Sequence, residues 1–114
     1  MTTIYHNPRC SKSRATLELL HQNGIDPDIV LYLETPPDPL TLKEITVKLG
    51  CSIENIIRKG ENVYADLGLA NADLDEQALL ETVSANPILL ERPVVVIGDR
   101  AVVGRPPENI LEIL

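Results

Sequence analysis

The sequence predicts an α/β fold: a mixed four-stranded sheet flanked by helices, with a helical insert between a βαβ half and a ββα half. Three observations carry that expectation. A strand–helix–strand pattern occupies residues 2–33, an order that favours parallel pairing. Helical stripes punctuated by Gly and Pro fill the middle of the chain. A hairpin signal followed by one more helical pattern closes it.

The elements follow in order. Thr2 to Tyr5 reads as a short strand that Asn7-Pro8 breaks. Ser11 to Asn23 reads as a helix with Ala15, Leu19 and Leu20 on its apolar face and Gly24 just past its end. Ile29 to Leu33 is the second strand. Pro36, Pro37 and Pro39 make a rigid connection, and Thr41-Leu42-Lys43-Glu44 is a capping box for a helix with Leu42, Ile45 and Leu49 inward, ended by Gly50. Ser52 opens a short helix through Ile53, Ile56 and Ile57 to Gly60. Asp73 to Glu76 starts another, with Leu79, Leu80 and Val83 apolar and Pro87 closing it. Val94 to Ile97 is a continuously apolar strand, as for one buried on both faces. Gly98-Asp99 suits a two-residue type II′ turn into Arg100–Val103, and Pro106-Pro107 starts a last helix with Ile110, Leu111 and Leu114 facing the core. This element order is that of a thioredoxin-like fold, expected as a single domain over residues 1–114.

Composition limits the function. Only 3% of the 114 residues are aromatic, so the core must be built from Leu, Ile and Val. The formal net charge of -7 leaves no basic stripe for nucleic acid, and any anion site must be a local cationic cluster. No apolar run approaches the roughly 20 residues that span a bilayer. The segment from Met1 to Ile4 lacks the features of a secretory signal, so a cytoplasmic location is expected. The two cysteines are expected as free thiols, and no zinc-ligand spacing is present.

Cys10 concentrates the chemical signal. It stands between a strand and a helix, where free backbone N–H groups and the positive end of the helix dipole favour a thiolate. Arg9, Lys12 and Arg14 flank it. Cys51, between Gly50 and Ser52, has no basic flank and reads as a packing residue. His6 reads equally as a packed strand residue or as support for the thiolate. Ser13 stands three residues after Cys10, where a CxxC protein has its resolving cysteine; it can offer a hydrogen bond but no disulfide. Arg14 is one helical turn from Cys10. Arg92 and Arg105 each precede a proline, which fixes local backbone geometry, and Arg58 lies just before Lys59-Gly60. Guanidinium groups so placed suit a tetrahedral oxyanion.

The run Tyr5-His6-Asn7-Pro8-x-Cys10-x-x-Ser13-Arg14 resembles the active-site motif of the glutaredoxin-coupled arsenate reductases, the ArsC family. The likeness extends through Tyr32-Leu33-Glu34-Thr35-Pro36-Pro37, Ile57-Arg58-Lys59, Asn86-Pro87-Ile88-Leu89, Arg92-Pro93-Val94-Val95-Val96 and Arg105-Pro106, and is strongest toward the short, YfgD-like branch. The resemblance implies a cis-proline at Pro93 and makes Cys10 the nucleophile toward arsenate or a similar oxyanion. It implies that Arg58, Arg92 and Arg105 bind the oxyanion, with His6, Ser13 and Arg14 supporting the thiolate. Arsenite would be the product, with no bound cofactor, glutathione and glutaredoxin as external reductants, and a monomeric protein. Ser11-Lys12 departs from the Gly-Thr pair of the best-known family enzymes. Two other readings stay open: a glutathione-linked thiol transferase, and an Spx-type transcriptional regulator, whose redox-responsive members carry the CxxC that Ser13 breaks.

Overall fold

The computed structural model describes residues 1–114. The chain divides into two compact units, one formed by residues 1–35 and 92–114, the other by residues 36–91.

The first unit holds the sheet. Strand β1 (Thr2–Tyr5) is central, parallel to β2 (Asp28–Val30) and antiparallel to β3 (Val94–Ile97); β3 pairs antiparallel with β4 (Arg100–Val103). The order β2-β1-β3-β4 is the mixed four-stranded sheet of a thioredoxin-like fold. Ile4 stands opposite Ile29 on one side and Val95 on the other. Helix α1 (Ser11–Gln22) packs against the terminal 3₁₀ helix Pro107–Glu112. Ile4, Leu20, Val95 and Ile110 form the fully buried centre, with Leu17, Ile25, Val102 and Ile113 around it. Aliphatic side chains supply this core, as the scarcity of aromatics requires. No helix is long and apolar enough to cross a membrane.

Several expectations for this unit need correction. The second strand ends at Val30 instead of Leu33 because the Leu31 carbonyl accepts turn hydrogen bonds from Glu34 N and Thr35 N, which removes it from the ladder. The inward face of α1 is Ser13, Thr16 and Leu20, while Ala15 is exposed. Polar side chains take buried positions there because each has a hydrogen-bond partner. The last helix is 3₁₀, with three residues per turn, so Ile110 and Ile113 share a face and Leu111 and Leu114 are left about half exposed. Strands β3 and β4 and their turn match expectation. Gly98 has φ 61° and no other residue of the turn has positive φ, the pattern of type II′. Val94 and Val95 are fully buried, whereas Val96 and Ile97 are half-buried.

The second unit is helical. Helix α2 (Pro39–Leu49) begins three residues earlier than the Thr41 box implies. Its cap is Asp38, whose carboxylate accepts from Thr41 N at 2.8 Å, and Pro39 at the first helical position needs no N–H partner. Leu42 and Ile45 are buried; Leu49 is half-buried. Ser52 and Asn55 form a capping box, but it opens only a 3₁₀ turn, Ile53–Ile56, because Ile57 leaves to bridge Leu90. Helix α3 (Asn62–Asp66) and a 3₁₀ turn at Leu69–Asn71 follow, where the sequence suggested no element. Helix α4 (Glu76–Ala85) is capped by Asp75 and buries Leu80 and Val83.

Candidate active site around Cys10

β1 delivers the loop His6–Arg9 to the start of α1, and the loop is rigidly wired. Cys10 N donates to Asn7 O at 3.0 Å, and Arg9 N donates to the Asn7 side-chain oxygen at 3.0 Å. Cys10 then occupies the N-cap of α1 in an extended conformation. Its sulfur lies where the first-turn N–H groups converge, although it does not close a full cap hydrogen bond.

Burial raises the Cys10 pKa, and four other influences lower it: the Ser13 N–H, a hydrogen bond from Arg92, the Lys12 N–H, and the Arg92 charge. Their sum wins, so the thiol is more acidic than an ordinary cysteine. Arg105 adds a contact, its Nη1 donating to Cys10 Sγ at 3.8 Å and to Arg92 O at 3.4 Å. The bonds Arg92–Pro93 and Arg105–Pro106 are both cis. Cys51 is the converse, since burial alone pushes its thiol up.

His6 and Ser13 meet each other instead of the sulfur. His6 Nδ1 and Ser13 Oγ are 2.6 Å apart and buried, and Asn7 N–H donates to the same Oγ at 3.0 Å. Burial, and secondly the charge of Arg14, lower the His6 pKa and keep the ring neutral. With Asn7 filling one acceptor position, the pattern is satisfied when the Ser13 hydroxyl donates to Nδ1. Ser13 thus reaches the thiol through its backbone N–H while its side chain anchors the loop. Arg14 donates to Pro8 O at 2.9 Å and pins the other side of that loop. A groove of about 320 Å³ borders the loop, lined by His6, Asn7, Pro8, Arg9, Leu31, Leu33 and Glu34. Cys10 is not among those residues.

Cys10, Arg92 and Arg105 are therefore assembled within the first unit, with His6, Ser13 and Arg14 holding the loop beside them. Arg58 belongs to the second unit, where its guanidinium pairs with Glu61 at 3.2 Å and Glu91 at 3.8 Å. Two residues to which the sequence reading gave no role at the site, Asn7 within the motif and Thr16 beyond it, also serve it. Asn7 fixes both flanks of the loop, and Thr16 joins α1 to the strand end before Arg105. An Asx-Pro pair ahead of the cysteine was a usable signal for Asn7; Thr16 offered only its i+3 spacing from Ser13.

Fold and site define a class: a thioredoxin-like protein with one acidified thiol at a helix N-terminus beside two guanidinium groups. The ArsC family model matches residues 5–113, and the chain belongs to that family. It is 52% identical over 112 residues to the uncharacterised protein YfgD of Escherichia coli (strain K12), covering 97% of this chain and 94% of that protein. It is 51% identical to an arsenate reductase of Neisseria meningitidis serogroup A, covering 97% and 96%. The solved structure of an arsenate reductase from Vibrio cholerae superposes with a TM-score of 0.96 at 45% identity, covering 99% of this chain and 97% of that one.

Proposed function

We propose that the protein is a cytoplasmic, monomeric arsenate reductase that draws its electrons from glutathione and glutaredoxin. The observation that carries this reading is the acidified Cys10 sulfur with the Arg105 guanidinium 3.8 Å away and Arg92 hydrogen-bonded to it. A thiolate is the nucleophilic form of cysteine, and two planar cations beside it match the oxygens of an oxyanion and stabilise charge that builds on them.

The Cys10 sulfur attacks arsenic and one arsenate oxygen leaves as water, giving an S–As bond with arsenic still pentavalent. Glutathione replaces a second oxygen in the same way. A glutaredoxin thiolate then attacks the glutathione sulfur. The S–As electron pair stays on arsenic, which becomes trivalent, and a glutathione–glutaredoxin disulfide forms. Hydrolysis of the remaining S–As bond releases arsenite and restores the thiol. Ser13 cannot form a disulfide with Cys10, which agrees with a need for outside thiols. In this scheme Arg92 and Arg105 hold the oxyanion, and the family resemblance gives Arg58 the same duty.

The test mixes purified protein with arsenate, glutathione, glutaredoxin and an NADPH-recycling system. Arsenate-dependent NADPH consumption that disappears in Cys10→Ser is the expected result; its absence in the wild type sinks the assignment. Faster turnover of a glutathionylated peptide than of arsenate would make the protein a thiol transferase instead. Arg58→Gln is expected to raise the KM for arsenate, and unchanged kinetics would remove Arg58 from the set.

A further inference from the structure

We propose that Thr16 is a positioning residue of this site: its hydroxyl clamps the first turn of α1 to Gly104 and so holds the Cys10 sulfur against the segments that carry Arg92 and Arg105. This rests on Cys10 being the working thiol.

Thr16 is fully buried. A helical threonine ordinarily bonds back to its own helix, and Thr16 does so, with Oγ1 2.8 Å from Lys12 O. The same hydroxyl lies 3.2 Å from Gly104 O, on a segment 88 residues away in sequence. One hydrogen is thus shared between two carbonyls, each next to the chemistry. The Lys12 N–H acts on the Cys10 sulfur, and Gly104 immediately precedes Arg105. Gly104 N–H in turn donates to Pro93 O at 2.9 Å, and Pro93 immediately follows Arg92. The clamp therefore reaches both arginine-bearing segments.

Gly104 is shaped to this contact. A Cβ there would stand 2.5 Å from Thr16 Oγ1 and 2.9 Å from both Thr16 Cγ2 and Pro93 Cγ, closer than real side chains pack. Only a residue without a side chain lets α1 and the strand end approach so closely. The Arg105–sulfur contact, at 3.8 Å, is already long, so a small separation of the two segments would weaken it further.

The experiment titrates Cys10 in the full chain by ultraviolet thiolate absorbance and follows its alkylation rate, with melting temperature measured in parallel. Thr16→Val, which keeps the shape and removes the hydroxyl, is expected to move the titration upward toward an ordinary cysteine and slow alkylation at neutral pH by roughly threefold. Thr16→Ser should restore the wild-type titration. Gly104→Ala should shift it in the same direction as Thr16→Val, and decides the matter with Thr16→Ala if the valine variant does not fold. An unchanged titration in folded variants, even with a lower melting temperature, overturns the proposal. In a background lacking both guanidinium groups, Arg92→Ala with Arg105→Ala, Thr16→Val should add little, and a full additive effect overturns the route through the arginine-bearing segments. None of these readouts uses arsenate, so failure of the wild type to reduce arsenate leaves this inference standing, and the reverse also holds.

Discussion

At the Cys10 sulfur, burial opposes ionisation while two N–H groups and Arg92 favour it. The folded state therefore holds the thiolate at a pH where the unfolded chain is still protonated. Stability from this group is complete above the ordinary cysteine pKa of about 8.5 and is lost as pH falls through the lower folded value. His6 titrates on the acid side, where burial and Arg14 depress its pKa below the ordinary 6.5. As pH falls through 6.5 the unfolded ring gains a proton that the folded ring does not bind, so stability drops between 6.5 and the folded value. His6→Gln is expected to narrow the difference in melting temperature between about pH 7.5 and about pH 5.5. A difference as large as that of the wild type would show that other groups carry it. Cys10, Arg92 and Arg105 are legible in the sequence because proline or a helix start marks each. Thr16 is not, because a threonine in the first turns of a helix usually faces water, and only tertiary contact shows that this one is buried and shared.

Among the elements, the β3–β4 hairpin is legible to the residue, since an apolar run followed by Gly98-Asp99 admits few other structures. Gly98 has φ 61°, and no atom lies within 4 Å of the place a Cβ would take, so the cost of a side chain there is conformational alone. Gly98→Ala is expected to lower stability by about 1–2 kcal/mol, seen as a lower urea midpoint, while leaving the Cys10 titration unmoved. A moved titration would mean that the turn governs the arginine end of the hairpin. The helices are harder to read. The Thr41 box points inside α2, because Asp38 and Pro39 together make a stronger start than the box. Apolar spacing places Leu19 and Leu20 of α1 against the core correctly but includes exposed Ala15 and gives no hint of buried, partnered Ser13 and Thr16.

For the whole molecule, the first unit gathers its core from both ends of the sequence: Ile4 and Leu20 from one, Val95 and Ile110 from the other. Ile4→Ala is expected to cost about 2–5 kcal/mol in chemical denaturation, because the neighbouring strands cannot collapse into the space. Leu111→Ala, half-exposed on the outer side of the 3₁₀ helix, should change stability by no more than about 0.5 kcal/mol. Equal losses would contradict the 3₁₀ face. The fold class is legible because element order alone restricts the topology, whereas the division at residues 36 and 91 depends on contacts that periodicity does not encode.

The hydroxyl bridge from Thr16 to Gly104 spans 88 positions, and Arg105 is 95 positions from Cys10. Synthesis runs from the N-terminus, so Cys10 leaves the ribosome long before Arg92 or Arg105, on either side of the hairpin, exists. Until β3 and β4 dock, it lacks both of those cations, and only the Ser13 and Lys12 N–H groups of α1 are left to favour the thiolate. The full acidity of Cys10 thus waits for residues 92–105, and a product stalled before them carries a less acidic cysteine.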